Sequence, residues 1–232
     1  MKPLISINIT CYNRKEMLRE CIQSFISQTF KDWELILVDD GSEEDLTFVT
    51  GMDTRVKYFR QEHLGESSRG IAAGFNLALD NSTGDYIMPF GSDDLAYENL
   101  LEMLLPAILV SDVVYCDHWL RLHDGKKRRM KHGVLDYNRM LEKQQVAHSG
   151  TLWRRDKMPR YDETLGGAED WELFLTSMES GLQFNHIPYR LWEYRVGHPR
   201  ESGTARQTTG CQKVMAKRGY CWDNNLRKGI KI

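Results

Sequence analysis

Three pairs of neighbouring acids stand at points in the chain where chemistry could be done: Asp39-Asp40 in LVDDGS, Asp93-Asp94 in FGSDDLA, and Glu169-Asp170 in GGAEDWEL. Adjacent carboxylates repel, and the repulsion is relieved by protonation, by a basic partner or by a bound cation. Each pair also has a plainer reading. The Asp-Gly-Ser run suits a turn with a helix N-cap, and the third pair, behind a Gly-Gly loop, suits capping of a helix whose positive dipole end favours carboxylates.

The elements that would position these acids follow from periodicity. LISINIT is rich in β-branched residues and reads as a strand, and Met17, Leu18, Cys21, Ile22, Phe25 and Ile26 then recur at helical spacing. WELILV repeats the strand pattern as a nearly continuous apolar run, the kind buried on both faces of a parallel sheet. A short helix is expected near residues 44–50, a strand at RVKYFR, a helix over SSRGIAAGFNLALD and a fourth strand after Gly84. Alternation of this kind predicts an α/β fold, an open, mixed but mostly parallel sheet flanked by helices, with ligands at the carboxyl ends of the strands. Beyond residue 110 the expectations are a hairpin turning at Asp124-Gly125, a strand at GTLWRR, a helix from AEDWELFLTSM, a strand pair near FNHIPYRLWEYRV and a polar tail.

Bulk properties exclude several classes. The 232 residues suffice for one domain, with 41% hydrophobic and 28% charged residues and a net charge of -2, which gives no global attraction to nucleic acid or acidic membranes. Five cysteines with no C-x-x-C pair suit a reducing compartment. MKPLISINIT lacks a small-residue cleavage site, and LLEMLLPAILV is far shorter than the roughly 20 residues a membrane span needs. The expectation is a soluble cytoplasmic protein, with the inner face of the membrane as a second placement. No glycine-rich turn follows the first strand, and no phosphate-binding G-x-x-x-x-G-K-[ST] or hydrolase G-x-S-x-G is present, which argues against dehydrogenases, nucleotidyltransferases, P-loop enzymes and serine hydrolases.

The run SINITCYNRKEMLRECIQSFISQTFKDWELILVDDGS resembles the opening of the family 2 glycosyltransferases of GT-A fold, the nucleotide-diphospho-sugar transferase fold. In the same order, GIAAGFNLALDNSTGDYIMPFGSDD resembles the family's helix, turn and Asp-x-Asp metal motif, GAEDWELFL its Glu-Asp motif, and YRVGHPRESGT its closing segment. The likeness covers about residues 4–204, and four motifs in order make it specific. It implies residues 1–110 as a nucleotide-sugar-binding half, 111–205 as the acceptor-binding half of the same domain, and 206–232 as a tail.

The resemblance also implies roles. Thr10, Tyr12, Arg14, Asp39, Asp40, Arg69, Ser92 and Asp93 would bind the donor, with Asp39 on its base and Tyr12 over the ring. Asp93 and His198 would hold Mn²⁺ or Mg²⁺ on the donor's diphosphate, Asp170 would be the general base with Glu169 beside it, and Asp94 and Trp171 would meet the acceptor. The implied activity is metal-dependent, inverting transfer from a nucleotide-diphosphate sugar, of UDP type, to a hydroxyl of a glycan or lipid-linked saccharide, as in polysaccharide biosynthesis. A hydroxylated base in DNA is the alternative acceptor, and a non-catalytic sugar-nucleotide-binding module the alternative class. Three positions depart from the family pattern: Gly91 stands where the first Asp of Asp-x-Asp is usual, Phe75 where an Arg is usual, leaving Arg69 or His63 near the diphosphate, and Thr10-Cys11 where a Pro precedes the Thr-Tyr segment. The basic run KKRRMKH, residues 126–132, reads as a solvated hairpin strand or as a contact for phosphate groups of a lipid-linked acceptor, a membrane or a nucleic acid. The tail, with Tyr220, Trp222, Leu226 and Ile230 among basic residues, is expected to pack on the domain or lie on a membrane.

Overall fold

Runs of Ile, Leu and Val without polar alternation fold where both faces are covered, and the chain opens with two of them. In the computed structural model, which describes residues 3–62, 69–196, 204–223 and 228–231, these are β1 (Ile5–Cys11) and β2 (Trp33–Asp39), joined by α1 (Lys15–Ile26). A 3-10 turn at Thr47–Gly51 stands where a short helix is expected, followed by β3 (Val56–Arg60), α2 (Arg69–Asn81) and β4 (Tyr86–Gly91). Ile5, Ile7, Ile9, Leu35 and Leu37 pack against Leu18, Ile22 and Phe25 of α1, whereas Ile36 and Val38 pack against Ala78 of α2. Alternate side chains therefore enter two cores, one on each face of the sheet.

The remaining elements are β5 (Leu95–Ala96), α3 (Leu100–Ile108), β6 (Val113–Arg121), β7 (Lys127–Met130), α4 (Tyr137–Glu142), β8 (Thr151–Arg154), α5 (Glu169–Glu179), β9 (Phe184–Arg195), α6 (Thr204–Ala216), β10 (Tyr220–Asp223) and β11 (Lys228–Lys231). The main sheet runs β3-β2-β1-β4-β8-β6-β9-β5, with β7 on β6. The strands β3-β2-β1-β4 are parallel and so are β6 and β9, while β8, β5 and β7 pair antiparallel. The order reverses at β1, since β2 lies on one side of it and β4 on the other. A crevice at the carboxyl ends of β1 and β4 is the place where such sheets take ligands.

One expectation about the elements is corrected and one is narrowed. The segment FNHIPYRLWEYR is one long strand and not a pair: its register jumps from Ile187, opposite Cys116, to Arg190, opposite Asp117. The irregularity absorbs Pro188, which has no N–H for the ladder. The tail is a helix and a hairpin that pack on the domain, with the Trp222 ring 5.4 Å from that of Trp171. Cys11, Cys21, Cys116 and Cys211 are buried free thiols, and Cys221 on β10 is exposed. Among the described residues no helix is long and apolar enough to cross a membrane.

Candidate functional site

β1 delivers Thr10 to the carboxyl edge, and the chain then turns through Asn13 (φ 55°) and Arg14 (φ 65°). Left-handed backbone costs a residue with a Cβ roughly 1 kcal/mol or more, so two in succession need support. The loop after β2 supplies it: Asn13 N–H donates to Ser42 Oγ (2.7 Å), Asn13 Oδ1 accepts from Glu43 N–H (3.0 Å), and Lys15 N–H donates to Glu44 (3.0 Å). The turn aims Arg14 across the edge, where Nη1 meets Asp93 Oδ2 at 3.0 Å. Of the three ways to relieve neighbouring acids, Asp93 has a basic partner.

Asp94 meets the repulsion differently. It is 2% exposed, accepts from Ser149 Oγ (2.7 Å) and Arg195 N–H (3.2 Å), and burial, then the charge of Asp93, pushes its carboxyl well above the ordinary value. Arg195 also donates to the Asp93 carbonyl and to Glu20, so β9 and α1 both hold the turn. A Cβ on Gly91 would lie 2.8 Å from Asp94 Oδ2 and 3.0 Å from Asp93 Oδ1. The glycine at this departure from the family pattern gives the acid pair its room.

The third pair sits behind a run of positive φ: Gly166 (88°), Gly167 (135°) and Ala168 (58°). This sharp loop ends at Glu169, the first residue of α5, where the helix dipole faces the cleft. Asp170 is anchored at both oxygens: Oδ1 accepts from Trp171 N–H (2.9 Å) and Oδ2 from Gln144 Nε2 (2.7 Å). The Gln144 amide also donates to the Val146 carbonyl (2.9 Å). Close by, His148 shares a 2.7 Å hydrogen bond with the Tyr161 hydroxyl, and burial lowers its pKa to about 4, so it is neutral at pH 7. Phe75, 5% exposed, stacks on Tyr161 at 5.1 Å and meets His148 edge-on at 4.8 Å. It belongs to an aromatic wall here, so it cannot do the work of a charged residue.

These groups face one cleft of about 670 Å³, lined by Thr10, Tyr12, Arg14, Asp40, Ser92, Asp93, Asp94, Glu169 and Asp170 among the residues expected from sequence. Two expected residues are placed elsewhere. Asp39 is fully buried behind the cleft and accepts from Tyr58 Oη (2.7 Å), Arg60 Nη1 (2.8 Å) and Ser42 N–H (2.8 Å). Trp171, expected at the acceptor, is 2% exposed and donates its indole N–H to the Met140 carbonyl (2.8 Å); its large apolar ring is worth more in the core than at a wet cleft. His63, His198 and the side chain of Arg69 lie outside the described residues.

The cleft also holds residues that no motif marked, Gln144, His148, His118 and Lys143, together with Lys131 and His132 of the basic run and Tyr194 of the closing segment. The loop 143–150 reaches the site because β8 runs antiparallel to β4, which puts its start over the end of β4, with Gly91 N–H donating to Ser149 Oγ (2.9 Å). Among the described residues no three His, Cys, Asp or Glu side chains converge to cage a metal. Of the carboxylates that line the cleft, Asp93 at the end of β4 offers a hard oxygen ligand. That suits Mg²⁺ or Mn²⁺ held by one carboxylate together with the phosphate oxygens of a diphosphate.

Residues 6–162 match the family model described as Glycosyl transferase family 2. Glycosyltransferase GlyG of Streptococcus pneumoniae is 34% identical over 116 residues, 48% of this chain and 37% of that protein. An uncharacterized glycosyltransferase of Rickettsia typhi is 28% identical over 203 residues, 79% of this chain and 62% of that protein. The chain thus spans less than two thirds of the length of either relative. Among solved structures, TarS 1-349 of S. aureus in complex with UDP-GlcNAc superposes with a TM-score of 0.70 at 18% identity, covering 92% of this chain and 66% of that one. The fold is the GT-A fold that the motifs implied.

Proposed function

The chain belongs to glycosyl transferase family 2, and on that premise we propose that it is a metal-dependent, inverting glycosyltransferase moving a sugar from a nucleoside-diphosphate donor, of UDP type, to a hydroxyl of a glycan or lipid-linked saccharide. One observation carries the reading: a carboxylate anchored at the N-terminus of α5, Asp170, opens on the same cleft as the Arg14–Asp93 pair at the ends of β1 and β4. The TarS complexes with UDP and UDP-GlcNAc support the choice of donor class.

In this reading Asp170 takes the proton of the acceptor hydroxyl as its oxygen bonds to the anomeric carbon. The bond from that carbon to the diphosphate breaks on the opposite face, and the nucleoside diphosphate leaves with the electron pair. A single displacement inverts the configuration. Gln144 and the Trp171 N–H fix the carboxylate, and His148 nearby is neutral. Arg14 places a guanidinium where the leaving charge builds. A divalent cation bound at Asp93 would supply Lewis-acid stabilisation of that charge.

The test is nucleotide release from UDP-, GDP-, TDP- and CMP-sugars with manganese, magnesium or EDTA, together with binding of the same donors. Release or binding of one donor that EDTA stops, and that Asp93→Ala makes insensitive to the cation, is the expected result. No cation-dependent binding of any donor would sink the reading.

A further inference from the structure

The β6–β7 hairpin carries cations on both faces, and the faces differ in how those cations are met. On the face turned from the cleft, Lys127 and Arg121 pair with Glu193. The Arg129 and Arg190 guanidinium groups lie 5.8 and 5.0 Å from the Trp119 ring centre. On the other face His118 and Leu120 stand opposite Met130 and Arg128, and His118, Leu120 and Met130 line the cleft. Lys131, which follows β7, and Lys143, which follows α4, are exposed cleft residues as well. Among the described residues, the side chains of Arg128, Lys131 and Lys143 make no hydrogen bond or ion pair.

Arg128, Lys131 and Lys143 thus stand on the cleft side with no partner among the described residues, and a positive field beside a cleft concentrates anionic ligands there. The acids of the cleft, Asp93, Glu169 and Asp170, do not meet them. We infer that Arg128, Lys131 and Lys143 form an acceptor subsite for an anionic saccharide, one carrying phosphate or carboxylate groups along its chain. Leu120, Met130 and Tyr194 line the same cleft and offer apolar surface to the face of a sugar ring. A membrane or a nucleic acid would engage the outer face of the hairpin as well, whereas a saccharide running into the cleft meets the three cleft-side cations, and the test separates these cases. The inference deepens the transferase reading and rests on it for the ligand's role as acceptor.

The test uses the full chain and one saccharide backbone in three forms: maltohexaose, its phosphorylated form and its carboxylated form, each titrated with and without UDP. One or both charged forms bind, more weakly as salt rises, and the neutral form binds at least about tenfold more weakly. The phosphate and carboxylate arms identify the anion. The triple variant Arg128→Gln, Lys131→Gln, Lys143→Gln loses about tenfold of that affinity with its melting temperature and UDP affinity unchanged. Equal binding of neutral and charged forms, or a triple variant that binds like the parent, overturns the inference. So does a drop in UDP affinity in the variant, which would give the cations to the donor. Binding only to phosphatidylglycerol-rich vesicles or to single-stranded DNA overturns it too. If charged saccharides bind while no nucleotide sugar does, the subsite stands and the transferase reading falls.

Discussion

A carboxylate serves as a base only when it is held still, and Asp170 is held by its own helix and by a residue distant in sequence. Gln144 and the Trp171 N–H occupy one position on each oxygen, leaving the other lone pairs for an incoming proton. Asp170→Asn keeps the shape and the Gln144 contact but cannot take a proton. Its transfer rate is expected to fall about 10²- to 10⁴-fold while donor affinity by calorimetry stays unchanged; normal transfer by the variant would remove Asp170 from the role of base. The acid itself was legible in the sequence, because Gly-Gly followed by Glu-Asp and an apolar helix announces its own geometry. Gln144 and His148 were not, since the loop that carries them has no local pattern and arrives through strand order alone. Asp39 and Trp171 show the opposite failure. Their types suit a ligand, but only the folded chain reveals that Tyr58, Arg60 and the Met140 carbonyl already use them.

Elements hold the site by close approaches that few residues permit. Gly210 of α6 touches the loop before α5, where an added Cβ would lie 2.0 Å from the Gly167 carbonyl oxygen. Gly210→Ala therefore displaces Glu169 and Asp170, and turnover is expected to drop about 10²-fold with donor affinity intact, as steady-state kinetics and calorimetry would show. At the opposite edge of the sheet, buried Glu34 ties three strands together, accepting from Ser6 Oγ (2.7 Å), Lys57 Nζ (2.6 Å) and Thr83 N–H (2.6 Å). Burial alone would raise its carboxyl, but these hydrogen bonds outweigh it and hold the pKa at about 2. A depressed carboxylate contributes stability above its unfolded pKa and loses it as pH falls through the folded one. Glu34→Gln is thus expected to cost about 2 kcal/mol at pH 7, with the difference from the parent closing between about pH 4.5 and pH 2 in denaturant titrations. A gap that stays constant with pH would refute the charge argument. The strand–helix alternation of residues 1–110 was readable because each step is local, whereas β9 reads as a strand pair although it is one strand with an irregular register, and the terminal hairpin was missed among polar residues.

The whole molecule is knitted across its halves by one sheet, where β8 lies between β4 and β6. Its melt is expected to be a single transition, with near- and far-ultraviolet circular dichroism coincident. Two separated steps would mean that the parallel half and the remainder unfold apart. A net charge of -2 hides a divided surface, acids at the end of the cleft near β1, β4 and α5 and unmet cations at its hairpin end. Sequence showed the basic run but could not tell which of its charges were already satisfied, because Glu193 and Trp119 meet them only after folding. The burial of four cysteines beside one exposed Cys221 gives the chain a built-in stoichiometric gauge. A thiol-selective reagent would consume one equivalent per native chain and five per unfolded chain, so the titre reads the folded fraction without altering a residue, and a dye at Cys221 reports from the terminal hairpin alone.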